Sequence, residues 1–492
     1  MKRIRTGINF MMLVRVTGWL VMIEALFMCA PVALALVNDD ADLLPFALSA
    51  AVTAGAGAAM TFAVRPTRFD MGKPEGFLLT VLVWVVFSAF GMIPFLLSKT
   101  PFGLTDAFFE AMSGFTTTGV TVATDVDSLS HPILLWRSMM QWLGGMGIIL
   151  FTLAVLPMLN SSGGMQMFNA EVSGITHEKL RPRVSSTAKR LWLIYALLTG
   201  VLAALYAIGP MSLFDSVCHA LSTMSTGGFS THQESLAVWD NSLYVKVVTT
   251  VFMFIGSINF ALIYKASTGH VGSMWQNEAF RTFVKLIGVY WVVFVVALAL
   301  DPNVDNTWDN FTINPLFQVI SAMSSTVYMV KGFEHWGNLP HILLVVMMFI
   351  GACAGSTSGG VKIDRVVCLW KNSVNELKRC IYPNHILPVN FNGRTVEPEV
   401  INKVGGFMAF YIGVIVVGVV VLAACGIAPM EGLWASMSCV SNTGAEVSIP
   451  GCIDSYAALP AVGKWTLTLL MLTGRLEIFT VLVLLLPGFW RK

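Results

Sequence analysis

The chain has 492 residues, 55% of them hydrophobic and only 12% charged, with a net charge of +2 and a mean hydropathy of +0.72. Soluble domains carry about a quarter charged residues, so a water-soluble core is excluded. A charge this close to zero, with no basic tail beyond Lys2, Arg3 and Arg5, excludes binding of nucleic acid by bulk charge.

Apolar windows of roughly 20 residues, the length a helix needs to cross ~30 Å of hydrocarbon, recur along the whole chain. The first, 11–36, is too long for the apolar region of a signal sequence and leads into further spans, so it is expected to stay in the mature protein. A second span covers 45–65. Four blocks follow, each an apolar span, a shorter semi-apolar segment, a polar Thr/Ser/Gly stretch and a second apolar span. Their spans lie at 76–97 and 132–158, 189–209 and 242–266, 281–300 and 338–366, and 400–425 and 460–488. The expectation is an all-α membrane fold of ten crossings, divided into a two-helix region (1–70) and four pore repeats (71–165, 166–270, 271–385, 386–492).

Basic residues collect in every second loop: Arg65/Arg68/Lys73, Lys179/Arg181/Arg183/Lys189/Arg190, Arg281/Lys285, Lys362/Arg365/Lys371/Lys378/Arg379 and Arg491/Lys492. By the positive-inside rule these loops and both termini are cytoplasmic. The acidic loops around Asp39 to Asp42, Asp125 to Asp127 and Asp301 to Asp309 are then external, and the four short segments dip in from outside.

Aligned on Gly119, Gly228, Val327 and Gly444, the short segments are spaced by 109, 99 and 117 residues. Thirteen residues earlier stand Asp106, Asp215, Asn314 and Glu431; six earlier stand Ser113, Ser222, Ser321 and Ser438. Four copies of one unit imply a shared core that none forms alone. Each segment reads as a half-helix followed by an extended polar strand, and such backbone is tolerated at membrane depth only where it is buried in protein or lines a watery cavity. The strands supply a candidate filter: Thr117, Thr118 and Gly119; Thr226, Gly227 and Gly228; Ser325, Thr326 and Val327; Asn442, Thr443 and Gly444. A ring of their carbonyls can replace the hydration shell of an alkali cation, and the half-helices aim their negative C-terminal ends at it.

Three features stand outside the regular pattern. Val327 occupies the glycine column, where a positive φ is unfavourable for a β-branched residue; the third strand is therefore expected to bend differently, and Lys331 lies just beyond it. Residues 351–360 put Gly351, Gly355, Ser356, Thr357, Ser358, Gly359 and Gly360 inside an apolar span, which predicts a broken helix. Arg475 lies mid-span, where an unpaired charge costs several kcal/mol; Glu477 points elsewhere on a helix and is a poor partner, and Arg137 reads as structural. The eight cysteines have no CxxC spacing and read as small buried thiols. No HExxH, GxSxG or dinucleotide-binding pattern in a strand context points to an enzyme.

The strings Thr-Thr-Thr-Gly (116–119), Gln-Trp-Leu-Gly-Gly-Met-Gly-Ile (141–148), Ser-Thr-Gly-Gly-Phe-Ser (225–230), Gly-Ala-Cys-Ala-Gly-Ser-Thr-Ser-Gly-Gly-Val-Lys (351–362) and Gly-Arg-Leu-Glu-Ile-Phe-Thr (474–480) make the chain resemble the Trk/Ktr/HKT superfamily, and most of all its Trk-type membrane subunits. The resemblance implies K+ uptake across a bacterial inner membrane through a fourfold pseudosymmetric pore, without an organic cofactor. It also implies a homodimer regulated by a cytosolic nucleotide-binding ring. Gly119, Gly228 and Gly444 match the family's filter glycines, and K+ is expected at Thr118, Gly119, Gly227, Gly228, Thr326, Val327, Thr443 and Gly444. Residues 351–360 match an intramembrane gating loop, and Arg475 matches an arginine projecting into the cavity below the filter. Because Val327 departs from the pattern, two alternatives stay open: a pore that passes Na+ as well as K+, and a non-conducting sensor or assembly subunit.

Overall fold

The computed structural model describes residues 8–64, 72–100, 102–147, 184–301, 308–444 and 455–490. Arg65, Arg68, Lys179, Arg181, Arg183, Cys452, Arg491 and Lys492, the region boundaries near 70 and 165, and the end of the 132–158 span lie outside them.

Six long apolar helices run without interruption: α1 (Phe10–Val37), α2 (Leu43–Phe62), α3 (Lys73–Gly91, prolonged by a short turn to Leu97), α6 (Val184–Ile208), α10 (Glu278–Leu300) and α14 (Pro398–Ala424). Their ends follow local chemistry. Asn9 accepts from the N–H of Met12 and Asn277 from that of Phe280, satisfying amides that a helix N-terminus leaves open. Pro74 and Pro398 start α3 and α14 where the missing N–H is harmless. Between α1 and α2 the backbones approach closely because Gly18 and Gly57 face each other: a Cβ on Gly18 would lie 2.9 Å from the Gly57 carbonyl.

Each of the four later units adds a short helix and a second apolar helix. The short helices are α4 (Leu104–Phe115), α7 (Leu213–Met224), α11 (Ile313–Met323) and α15 (Pro429–Ser441), and their C-terminal halves are buried. The second helices bring the number of spans to ten, and they differ from expectation: three of them break partway along their length, not one. In the second repeat α8 (Leu243–Gly256) turns by 104° into α9 (Phe260–Ser267); in the fourth, α16 (Ala461–Arg475) turns by 117° into α17 (Phe479–Leu485). In the third, α12 (Asn338–Ile350) gives way to a loop before α13 (Ile363–Ile381). The first repeat's α5 (His131–Gly145) also ends in mid-span, at Gly147 with φ +66°. Hydropathy does not register the breaks of repeats two and four: the turn at Ser257 to Asn259, and that at Leu476 to Ile478 where Glu477 and Ile478 take φ +55° and +57°, interrupt segments that stay apolar on average.

The all-α expectation needs one small amendment. A two-residue hairpin pairs Asn390 with Thr395 and Phe391 with Arg394 around the turn Asn392-Gly393, whose positive φ values match a tight hairpin turn. Among the seven described cysteines, Cys218, Cys353, Cys368 and Cys439 are buried, whereas Cys29 and Cys380 are exposed.

Candidate ion pathway

Where each short helix ends, the chain reverses in the same way in all four repeats. Thr117, Thr226, Ser325 and Asn442 take left-handed φ values of +54°, +53°, +61° and +49°. Their N–H groups return to Gly114, Thr223, Ala322 and Cys439, and the next N–H in each strand reaches the carbonyl of the aligned serine: Thr118 to Ser113 at 2.9 Å, Gly227 to Ser222 at 2.9 Å, Thr326 to Ser321 at 3.1 Å and Thr443 to Ser438 at 3.0 Å. Four non-glycine residues held in a sparsely populated region at one column are a form of strain that persists only under surrounding constraint and clusters at functional sites.

The strands close around one centre. A Cβ on Gly119 would collide with the Gly227 carbonyl, one on Gly228 with the Thr326 carbonyl, and one on Gly444 would come within 2.6 Å of the Thr118 carbonyl. Strand one therefore abuts strand two, two abuts three, and four abuts one; the Thr118, Gly227 and Thr326 carbonyls turn toward a neighbouring strand, whereas the Thr443 carbonyl accepts from the Ser438 hydroxyl of its own repeat. Gly119 and Gly228 have φ of +85° and +83°, so both the angle and the space demand glycine. Val327 does not bend differently: it takes φ +52°, and Gly444 is the member of the column without a positive φ. Lys331 is exposed outside the ring.

A second column behind the strands escaped the sequence reading. Nine residues before the column end stand Glu110, His219 and Gln318, with Ala435 in the fourth repeat. Each polar member braces the strand after it has passed the filter. Glu110 accepts from Val122 N–H at 3.0 Å and from Thr121; His219 Nε2 lies 3.0 Å from Ser230 Oγ; Gln318 Oε1 accepts from Val330 N–H. The pattern Glu/His/Gln/Ala was legible in the alignment but does not look like one role. Arg137 joins this shell: its Nε is 2.8 Å from Glu110 Oε1, both side chains are buried, and its guanidinium covers the Phe229 ring at 4.2 Å. Between repeats, Lys464 pairs with Asp106 at 2.5 Å and Lys246 donates to Asn314 at 2.9 Å, which gives partners to two of the four polar residues at column thirteen.

The broken span of repeat three covers the deep end of the strands. Gly351, Gly355 and Gly360 have φ between +70° and +79°, and a Cβ on Gly359 would collide with the Ser441 carbonyl. Thr357 Oγ1 accepts from Thr226 Oγ1 at 3.2 Å and itself lies 3.0 Å from the Gly256 carbonyl. Ser358 Oγ meets Ser325 Oγ at 3.1 Å, Gly359 N–H donates to Ser325 Oγ at 2.8 Å, and Gly360 N–H donates to the Ser441 carbonyl at 2.8 Å. Thr357 to Gly360 thus touch repeats two, three and four. Gly351 begins the loop, and Gly355 and Ser356 sit at its far side, where Gly355 faces Asn259 and Ser356 bonds the Cys353 carbonyl.

Arg475 completes the enclosure. It donates to the Thr357 carbonyl at 3.1 Å and to the Gly144 and Gly145 carbonyls at 2.6 and 3.0 Å, which ties the loop to repeat one. Glu477 is no partner of Arg475, though not through helical spacing: the helix ends at Arg475, Glu477 takes φ +55° in the break, and it pairs with Arg365, whose guanidinium stacks 4.1 Å from the Phe407 ring centre.

A ring of four re-entrant strands, each preceded by a half-helix and covered from one side by an intramembrane loop, defines a multi-pass pore-loop transport protein. A family model described as a cation transport protein, TrkH, matches residues 45–490, and the chain belongs to this family of transporters, not to an enzyme family. It is 36% identical to the Trk system potassium uptake protein TrkH of Salmonella typhimurium over 98% of this chain and 100% of that protein. It is 32% identical to TrkI of Halomonas elongata over 96% and 95%. The crystal structure of the potassium transporter TrkH from Vibrio parahaemolyticus superposes with a TM-score of 0.89 at 34% identity, covering 98% of this chain and 100% of that one.

Proposed function

We propose that the protein carries K+ into a bacterial cell across the inner membrane, through the ring formed by Thr117 to Gly119, Thr226 to Gly228, Ser325 to Val327 and Asn442 to Gly444. The observation that carries this reading is the shared left-handed turn at Thr117, Thr226, Ser325 and Asn442, which presents four strands of carbonyls to one centre. Its relatives' names as potassium uptake proteins support K+ as the cargo. Both termini are cytoplasmic, the working form is a homodimer, and a cytosolic nucleotide-binding ring controls it; the alternating basic loops and the multi-component Trk system of its relatives support this arrangement.

Residues 351–360 with Arg475 act as the gate. The loop's hydroxyls are engaged by Thr226 and Ser325, and the guanidinium holds the Thr357 carbonyl, so ion passage requires these bonds to be exchanged. A fixed positive charge beside the path also opposes a cation by Coulomb repulsion. Rubidium and sodium uptake in a potassium-auxotrophic host tests transport; no uptake at wild-type expression, with or without the regulatory ring, would overturn it. Arg475→Ala should raise cation flux per folded molecule, and an unchanged flux would remove the arginine from the gate.

A further inference from the structure

The strand position just before the last filter residue is Thr118, Gly227, Thr326 and Thr443. Repeat two alone lacks a side chain there. In strand one the threonine hydroxyl meets Thr116 Oγ1 at 2.8 Å and accepts from Asn442 Nδ2 at 3.0 Å; in strand three it meets Ser324 Oγ at 2.8 Å. In strand two the space is filled from another repeat. The Cβ that Gly227 lacks would fall on the carboxamide of Gln141, 2.6 Å from Oε1 and 2.8 Å from Nε2. That carboxamide is fully buried, and it donates from Nε2 to the Gly227 carbonyl at 2.8 Å while Oε1 accepts from Phe229 N–H at 3.1 Å. It therefore grips the strand on both sides of Gly228.

The second helices explain why only this residue can do so. Counted from the helix starts at His131, Leu243, Asn338 and Ala461, the eleventh residues are Gln141, Met253, Met348 and Met471, and all four are buried. Three repeats carry a methionine, and the one that abuts the strand ending in Gly227-Gly228 carries an amide. We propose that Gln141 is a specificity-determining positioning residue: lent by repeat one, it stands in for the missing threonine of strand two and fixes the direction of the Gly227 carbonyl. A carbonyl oxygen has two lone pairs, so one can accept from Gln141 while the other is left for the ion. Selectivity depends on the number and field strength of such ligands, and a carbonyl free to swing would fit the smaller Na+ as well as K+. The proposal rests on the filter reading above.

The test is a transplant in the full-length protein, with rubidium uptake, sodium competition and folded protein measured together. Gln141→Met, the residue of the other three repeats, should weaken the preference for rubidium over sodium by about fivefold, the scale of one lost hydrogen bond. Gly227→Thr alone should lose uptake, because its new Cβ meets the carboxamide. The pair Gln141→Met with Gly227→Thr, which gives both positions the residues found in the other three repeats, should recover uptake and selectivity toward the wild-type values. A Gln141→Met protein with wild-type selectivity, or a pair no better than Gly227→Thr alone, would overturn the proposal. Should Gln141→Met not fold, Gln141→Asn, whose shorter amide cannot span both bonds, is read the same way, together with the K+ concentration that half-protects the purified protein against heating. Gly228→Ser separates the two levels: if it too leaves selectivity untouched, the filter reading has failed and not the role of Gln141 alone.

Discussion

Strands two and three occupy adjacent quarters of the same ring and reach the same backbone path by opposite means. Strand two has glycine at its last two positions and takes its support from outside: the Gln141 carboxamide from repeat one, and the Tyr328 hydroxyl, which donates to the Phe229 carbonyl at 3.3 Å, from repeat three. Its own serine, Ser222, has a buried hydroxyl with no partner among the described residues. Strand three supports itself. Ser321 Oγ donates to the Tyr328 carbonyl at 2.6 Å, Thr326 bonds Ser324, and the chain accepts a valine at φ +52°. Fourfold likeness here belongs to the backbone, and the side chains that enforce it differ by quarter.

The largest effect should come from the shell behind the strands. Glu110→Ala leaves Arg137 buried without its carboxylate, and losing one member of a buried pair costs about 3–5 kcal/mol. Gln318→Ala, the neutral counterpart behind strand three, should cost about 1 kcal/mol. Thermal unfolding of the purified variants measures both, and equal losses would mean that the column has no graded bracing role.

Gly228→Val makes strand two resemble strand three and should fail where Val327 succeeds. The added Cβ meets the Thr326 carbonyl, and a β-branched residue at positive φ adds ~1–3 kcal/mol of strain, so rubidium uptake per folded molecule should fall about tenfold or more. Wild-type uptake would show that the two strands are interchangeable. The reverse exchange, Val327→Gly, should leave folding nearly unchanged and shift the potassium-to-sodium preference toward potassium by a few fold; no shift in flux or ratio would take this column off the ion path. Tyr328→Phe should be mildest. It removes one shared hydrogen bond worth about 1 kcal/mol, seen as a small drop in melting temperature and a modest loss of selectivity, and a loss as large as that of Glu110→Ala would contradict the division of support.

Much of this molecule is legible as pattern. Apolar windows long enough to span hydrocarbon marked six straight helices to within a few residues, as with 281–300 against Glu278–Leu300. The serine column appeared because it stands at fixed distance from the strand end, and its backbone carbonyls are what the strands bond. The left-handed turns two residues before the strand end did not announce themselves, since Thr117, Thr226, Ser325 and Asn442 are residue types without a strong preference for positive φ, apart from asparagine.

Amino-acid order by itself determined the membrane class, the number of crossings, the four-unit repeat and the break at 351–360, because each is set by local composition: enough apolar length, a recurring interval, or glycines too dense for a helix. Tertiary structure alone decided that Val327 keeps the common path, that the second helices bend at Ser257 to Asn259 and at Leu476 to Ile478, that Arg475 bonds carbonyls of two repeats, and that Gln141 faces Gly227. For Arg475 and Gln141 the partner lies in another quarter of the ring. Its distance is set by how four units close on one axis, and no interval along a single strand or helix encodes that closure.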